Sequence, residues 1–252
     1  MWGRWGFPRG GAAPIYTYNK TEDRGISREI QEHGRWEEDT LRYVCDILAS
    51  EDGNYLDVGA NIGALTIPLV PCLKGKQVFA VEAVPSNAEH IMASVLANQY
   101  QGVVVIPNAV GGPSDAPTVT MNVPKHVKGA SAVSGNRPVQ DLVSQVVVRQ
   151  TSLDAIAAKE PGMKNLLLMK MDIEGNEGRA LEGARTLLAT FPPCYIQIEL
   201  VPRFLKNAGT SIGSVIELLN DAGYNTTFAD PVNGNSFLTW QKDLLGCLWR
   251  MH

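Results

Sequence analysis

The 252-residue sequence has little cysteine, little histidine and no long apolar run, and each shortage narrows the chemistry open to it. Its four cysteines, Cys45, Cys72, Cys194 and Cys247, include no Cys-x-x-Cys pair, which removes the usual zinc and thiol-redox spacings. Each lies in or beside an apolar stretch, so the expectation is buried free thiols rather than a disulfide framework. A membrane-spanning helix needs about 18 successive apolar residues. The best candidate, Ala64 to Leu73, is interrupted by Pro68 and Pro71. The N-terminus lacks the charged-then-apolar pattern of a secretory signal, so the expected location is cytoplasmic unless an anchor or targeting segment has been removed. Excess positive charge is missing too. The net charge is −4, which disfavours nucleic acid as a partner and favours a small molecule.

What is present reads as one α/β domain. Residues 1–26, rich in Gly, Pro and aromatics, predict an irregular arm ahead of a domain over 27–252. From Ser27, the recurrence of Ile30, Trp36, Leu41, Val44, Ile47 and Leu48 predicts a helix that stops before Gly53. Short apolar runs then alternate with helical stripes. Tyr55–Gly59, Gln77–Glu82, Val103–Ile106, Leu166–Met171 and Tyr195–Leu200 read as strands. Helices are expected after Asn61, from Pro85, from Thr151, around Ala180–Leu188 and over Ile212–Leu219, the last ended by Gly223. Such alternation implies parallel strands with helical crossovers. Residues 111–150, rich in Gly, Pro, Ser and Val, predict a β-rich excursion between two βα units. Two more β-like runs, Tyr224–Ala229 and Phe237–Trp240, close the pattern.

The most informative segment is Asp57-Val-Gly59-Ala60-Asn61-Ile-Gly63, between the first strand and its helix. Open α/β sheets bind cofactors at the carboxyl ends of their strands. Gly59 suits a tight turn there, and Gly63 a close approach of helix to strand. The glycine spacing alone serves several cofactor classes. Glu82 ends the second strand, where a carboxylate can accept hydrogen bonds from both ribose hydroxyls, and that placement also suits a nicotinamide dinucleotide. Asp57 separates the two readings. Its charge beside the turn repels a pyrophosphate, whereas S-adenosylmethionine carries an ammonium, a sulfonium and no phosphate. Asn61 replaces the middle glycine of the dinucleotide fingerprint and would crowd a diphosphate.

With these residues in view, the chain resembles the FkbM family of class I methyltransferases, over roughly Ser27 to Leu245. The resemblance rests on ordered segments: Trp36-Glu37, Leu56–Gly63, Val81–Pro85, Asn108–Gly111, Gly129–Ala132, Ser152–Asp154, Lys170–Gly175 with Glu177, and Gln197–Glu199. Asp172-Ile-Glu-Gly-x-Glu177 is the most specific of them. The resemblance implies a Rossmann-like α/β fold, with a mostly parallel seven-stranded sheet, one antiparallel strand and helices on both faces. It also implies methyl transfer from S-adenosylmethionine, mostly to hydroxyl groups of small molecules. The residues expected to contact the cofactor are Glu37, Asp57, Gly59, Ala60, Asn61, Gly63, Glu82, Ala83, Asn108, Ala109 and Asp172. The chain departs from the family at Glu82-Ala-Val-Pro85, where Glu-Pro-x-Pro is frequent, and at Ala132, where a second serine is common.

Methyl transfer to an alcohol is an in-line displacement that also needs the hydroxyl proton removed, by a base or by a metal that lowers its pKa. Asp172 follows the central strand, with Glu174 two residues on and Glu177 near the same mouth. Asp172 and Glu174 could hold a divalent cation through oxygen ligands, or one of them could act as base. Glu174 and Glu177 could equally serve the following helix through its dipole. Glu199 ends the next strand in a similar position. His33 is a further candidate base, and His126 a candidate on the acceptor side. His90 and His252 read as solvated, and Trp36 as a packing anchor. Lys125, Lys128 and Arg137 tint the excursion basic. The acceptor is expected to be a small molecule or glycan. Two other functions fit parts of the pattern: an NAD(P)-dependent oxidoreductase, and a catalytically silent module that keeps the fold for binding.

Overall fold

A computed structural model describes residues 1–6, 12–136, 142–226 and 237–241. Arg137, Cys247, His252 and residues 227–229 of the run from Tyr224 lie outside them. The N-terminal part is not irregular: β1 (Trp2–Gly6) and β2 (Ala12–Tyr16) pair antiparallel. Ile15 and Ala13 are buried, and the Tyr16 amide donates to Ser94 Oγ at 2.8 Å.

The single helix expected from Ser27 is two, α1 (Ile26–His33) and α2 (Glu38–Ser50). Gly34 takes a left-handed φ of 63°, which an L side chain disfavours, and Glu37 follows with φ 44°. That break turns Trp36 and Glu37 inward. Next come β3 (Asn54–Val58), α3 (Thr66–Leu69), β4 (Val78–Val81), α4 (Pro85–Ala97) and β5 (Val103–Ile106). α3 is only one turn, with Pro68 and Pro71 limiting the helix expected after Asn61. The excursion holds β6 (Ala109–Val110), β7 (Thr118–Pro124), β8 (Ala132–Val133) and β9 (Leu142–Thr151). The chain returns through α5 (Leu153–Lys159), β10 (Leu166–Met171), α6 (Glu177–Glu182), α7 (Arg185–Thr190), β11 (Tyr195–Glu199), α8 (Pro202–Asn207), α9 (Ile212–Asp221) and β12 (Phe237–Gln241).

Among the described residues the main sheet has six strands rather than the seven expected, in the order β12-β11-β10-β3-β4-β5. All neighbours are parallel except β12, which runs antiparallel to β11. The excursion forms a second sheet, β6-β9-β7-β8. One face of the main sheet packs Leu56, Val58, Met169, Met171, Ile196 and Ile198 against α5 to α9. The other packs Tyr55, Val78 and Leu168 against α1, α2 and α3, and Ala80 against Ile91 of α4. This is the three-layer α/β architecture read from the alternation.

The free-thiol expectation is overturned. Cys45 of α2 is disulfide-bonded to Cys72, 27 residues on, and Cys194 is also disulfide-bonded. No sequence spacing marks this pair. It forms because α2 packs on the turn that follows α3.

Candidate active site

The site grows out of the two-residue period of the strands. In register across the sheet, Asp57 of β3 neighbours Ala80 of β4 and Lys170 of β10, and Lys170 neighbours Gln197 of β11. Two residues further along each strand, the same face carries Glu82, Gly59, Asp172 and Glu199. All four line one cleft at the carboxyl edge of the sheet, roofed by Val127, Gly129 and Ala130 of the excursion. Gly59 has φ 85°, and a Cβ there would collide with the Asp172 carbonyl, so only glycine lets the loop cross so close to β10.

The loop is fastened from below. Asp57 Oδ2 accepts the Thr66 hydroxyl at 2.6 Å, and its Oδ1 lies 3.4 Å from Lys170 Nζ. Asn61, at φ 53°, turns its side chain back so that Oδ1 accepts its neighbour Ile62's amide at 2.8 Å. Glu82 Oε2 accepts the Asn61 amide at 2.9 Å. Its Oε1 accepts the Val84 amide at 2.9 Å and the Asn87 side-chain amide at 3.2 Å. Burial pushes the Glu82 carboxyl above its ordinary range, and these three donors work against that push.

Lys170 was missed as a site residue, although a lysine inside Leu-Leu-Leu-Met-Lys-Met was a legible signal. It is 4% exposed, donates to the Gly59 carbonyl at 3.2 Å and lies 3.7 Å from Asp172 Oδ2. Burial opposes its charge, yet Asp57, Asp172 and Glu37 together hold it above the ordinary lysine range. Its presence revises the charge argument. Asp57 is fully buried and answered by Lys170, so its charge is not the one left to meet a ligand. Glu37 lines the cleft, and its buried Oε2 has no hydrogen-bond partner. Desolvation raises its carboxyl, Lys170 lowers it, and Asp172 and Asp57 raise it again.

Asp172 meets Glu199, at the end of the neighbouring strand. Desolvation, then the Asp172 charge and a hydrogen bond to Asp172, push the Glu199 carboxyl far above the ordinary carboxylate range. Glu174 lines the same cleft with φ 55°. Among the described residues no group of three or more His, Cys, Asp and Glu side chains is arranged to hold a metal ion.

The remaining candidates divide. Ala60, Ala83, Asn108 and Ala109 line the cleft, while Gly63 lies behind it, where a Cβ would sit 3.0 Å from Ile67 Cγ1. His33 is not brought to the cleft: it ends α1, half-exposed, 4.0 Å from Glu29 one turn back. Trp36 is half-buried, packing against the α2 core while lining the cleft. His126 lies over the N-terminal segment, its Nδ1 3.3 Å from the Thr21 carbonyl. His90 is buried rather than solvated, its ring 4.1 Å from that of Tyr18. Glu177 lies outside the cleft lining, and its Oε1 accepts the amides of Ile173 at 2.9 Å and Gly175 at 3.2 Å, fixing the loop that carries Asp172.

No curated protein matches the sequence. Solved structures similar to it include a precorrin-6y C5,15-methyltransferase from Geobacter metallireducens, with 13% identity, 77% of this chain and 76% of that one covered, and a TM-score of 0.41. M. jannaschii TYW2 in complex with AdoMet matches at 14% identity, with 84% and 80% covered and a TM-score of 0.38. A SAM-dependent methyltransferase from Aquifex aeolicus matches at 14% identity, with 73% and 79% covered and a TM-score of 0.39. The sequence family described as the methyltransferase FkbM domain matches residues 57–226, from the carboxylate under the glycine loop to just past α9. That is well over half of the sequence and holds nearly every residue of the cleft; the chain belongs to the FkbM family of S-adenosylmethionine-dependent methyltransferases.

Proposed function

We propose that this methyltransferase acts on a hydroxyl oxygen of a small molecule or glycan, with Asp172 receiving the hydroxyl proton. The observation that carries the proposal is the Asp172–Glu199 pair at the ends of adjacent strands. An alcohol gives up its proton reluctantly, so transfer to oxygen calls for a carboxylate beside the reacting atoms. Glu199, its carboxyl pushed up by burial and by the Asp172 charge, shares a hydrogen bond with Asp172, and Lys170 Nζ lies 3.7 Å away on the other side. Asp172 is thereby fixed in place at the mouth. Glu174 stands by as a further contact for acceptor hydroxyls.

The cofactor fits the residues present. The orphaned Glu37 Oε2 calls for a donor, which an amino-acid ammonium provides. Glu82 keeps acceptor capacity for ribose hydroxyls, since a carboxylate offers about four lone-pair sites and three donors already occupy it. Ala83, Asn108 and Ala109 form the wall beside Glu82, and the backbone at Gly59 and Ala60 borders the centre of the cleft. When bound, S-adenosylmethionine supplies the electrophilic methyl group. Family membership favours this donor over a nicotinamide cofactor and an active enzyme over a silent scaffold. Incubation with acceptors that differ only in the accepting atom (hydroxyl, amine or thiol) tests the reading. Methylation of the alcohol is expected, and a clear preference for amine or thiol would refute it.

No helix among the described residues is long and apolar enough to cross a membrane. The disulfides favour an oxidising compartment over the cytoplasmic location expected from the sequence. Alkylation of Cys45 and Cys72 in freshly extracted protein would count against that.

A further inference from the structure

We propose that Tyr18, which lies ahead of the region matched by the family, is a positioning residue for the cofactor site, acting on Glu82 through Asn87. Asn87 is 1% exposed and lines the cleft. Its Oδ1 accepts the Tyr18 hydroxyl at 2.7 Å, while its Nδ2 donates to Glu82 Oε1 at 3.2 Å. A side-chain amide can turn over at little steric cost, exchanging donor for acceptor. Glu82 can only accept, so the amide nitrogen faces it, and the Tyr18 hydroxyl, donating to Oδ1, pins the other end of the amide. Without that hydroxyl the oxygen end of the amide is no longer held, so the side chain can swing and weaken its 3.2 Å bond to Glu82, one of the three donors on that carboxylate.

Tyr18 is itself held firmly. Its hydroxyl lies 2.8 Å from Ser86 Oγ, and its carbonyl accepts Gln31 Nε2 at 2.6 Å. Its ring stacks at 4.1 Å on His90, one turn beyond Ser86 and Asn87 on α4. Burial pushes the phenol up to about 12, so it stays a hydrogen-bond donor at every working pH. The segment between β2 and α1 therefore completes the Glu82 side of the cleft from outside the matched domain.

The inference rests on Glu82 as the ribose contact, and calorimetry with S-adenosylhomocysteine on the full chain separates the two. Y18F is expected to weaken binding about fivefold, the value of one hydrogen bond. In kinetics the loss should fall on KM for S-adenosylmethionine rather than on kcat. N87A should weaken binding by a similar factor, and Y18F should add nothing in the N87A background. S86A, which removes the other hydroxyl contact, should leave affinity unchanged. If E82Q weakens binding and Y18F does not, Glu82 stands and the role of Tyr18 falls. Additive losses in Y18F/N87A would make Tyr18 a merely structural neighbour and overturn the proposal. Unchanged binding in E82Q would overturn the Glu82 reading and this inference with it.

Discussion

The two faces of β3, β10 and β11 obey the same alternation and carry opposite chemistry. On one, Leu56, Val58, Met169, Met171, Ile196 and Ile198 form an apolar surface under α5 to α9. On the other, the rows change as they approach the carboxyl edge. Tyr55 and Leu168 are packed core, Asp57, Lys170 and Gln197 form a buried polar layer, and Gly59, Asp172 and Glu199 reach the cleft. The first face stabilises the sheet through burial, at about 25 cal/mol per Å². The second gives up part of that stabilisation to place charges where a ligand meets them. It leaves Tyr55 Oη, Asp57 Oδ1, Glu37 Oε2 and Gln197 Oε1 buried without hydrogen bonds. Its helices are braced in return, with α2 tied by Cys45 to Cys72. The charged side chains of these strands are thus gathered on one face, at the edge where the cleft opens.

The sharpest way to break this contrast is to move a charge across the sheet. Met169→Lys puts an ammonium into the apolar face one residue from the tolerated Lys170, and a loss of about 5 kcal/mol or more is expected in urea unfolding. A folded M169K with ordinary stability would show that the faces do not differ as argued. Asp172→Asn tests the chemistry at the edge. Turnover should fall about 100-fold or more while S-adenosylhomocysteine affinity changes little, and equal losses in both would reduce Asp172 to a cofactor contact. Lys170→Met tests the polar layer, since it strands Asp57. It should cost about 3 kcal/mol in stability, and Asp57→Asn should recover much of that in the double variant. No recovery would mean that the Asp57–Lys170 pair is not what holds this layer.

The last effect depends on pH and concerns Glu177, whose carboxyl burial pushes up from 4.5 to about 7. Between those values the native state keeps a proton that the unfolded chain has released, so this group's contribution to stability falls as pH rises through that window. Glu177→Gln stays neutral throughout and keeps an oxygen for the amides of Ile173 and Gly175. Thermal melts across that range should show the variant gaining on the parent as pH rises, and parallel curves would contradict the shift.

The strands of the cleft were legible because period-two and period-3.6 patterns report local geometry directly. Tyr55–Val58, Val78–Val81 and Leu166–Met171 lie where the apolar runs placed them. The break at Gly34 was harder to read, because one glycine inside an otherwise helical stripe is often tolerated. Its left-handed conformation is what turns Glu37 toward the cleft. His33 stayed on the surface for the same reason, on the last turn before the break.

By itself the sequence determined which residues alternate, where the glycines must be, and hence the sheet, the loop and the cofactor class. Tertiary structure alone decided the partners. Asp57 was read as the charge that greets the ligand, and folding set Lys170 from a neighbouring strand against it. Asp172 took Glu199 as its partner, Cys45 took Cys72, and Tyr18 reached Asn87. Each of these contacts joins residues distant in the chain. A local pattern fixes the direction a side chain leaves its own backbone, and register and packing fix what it meets there.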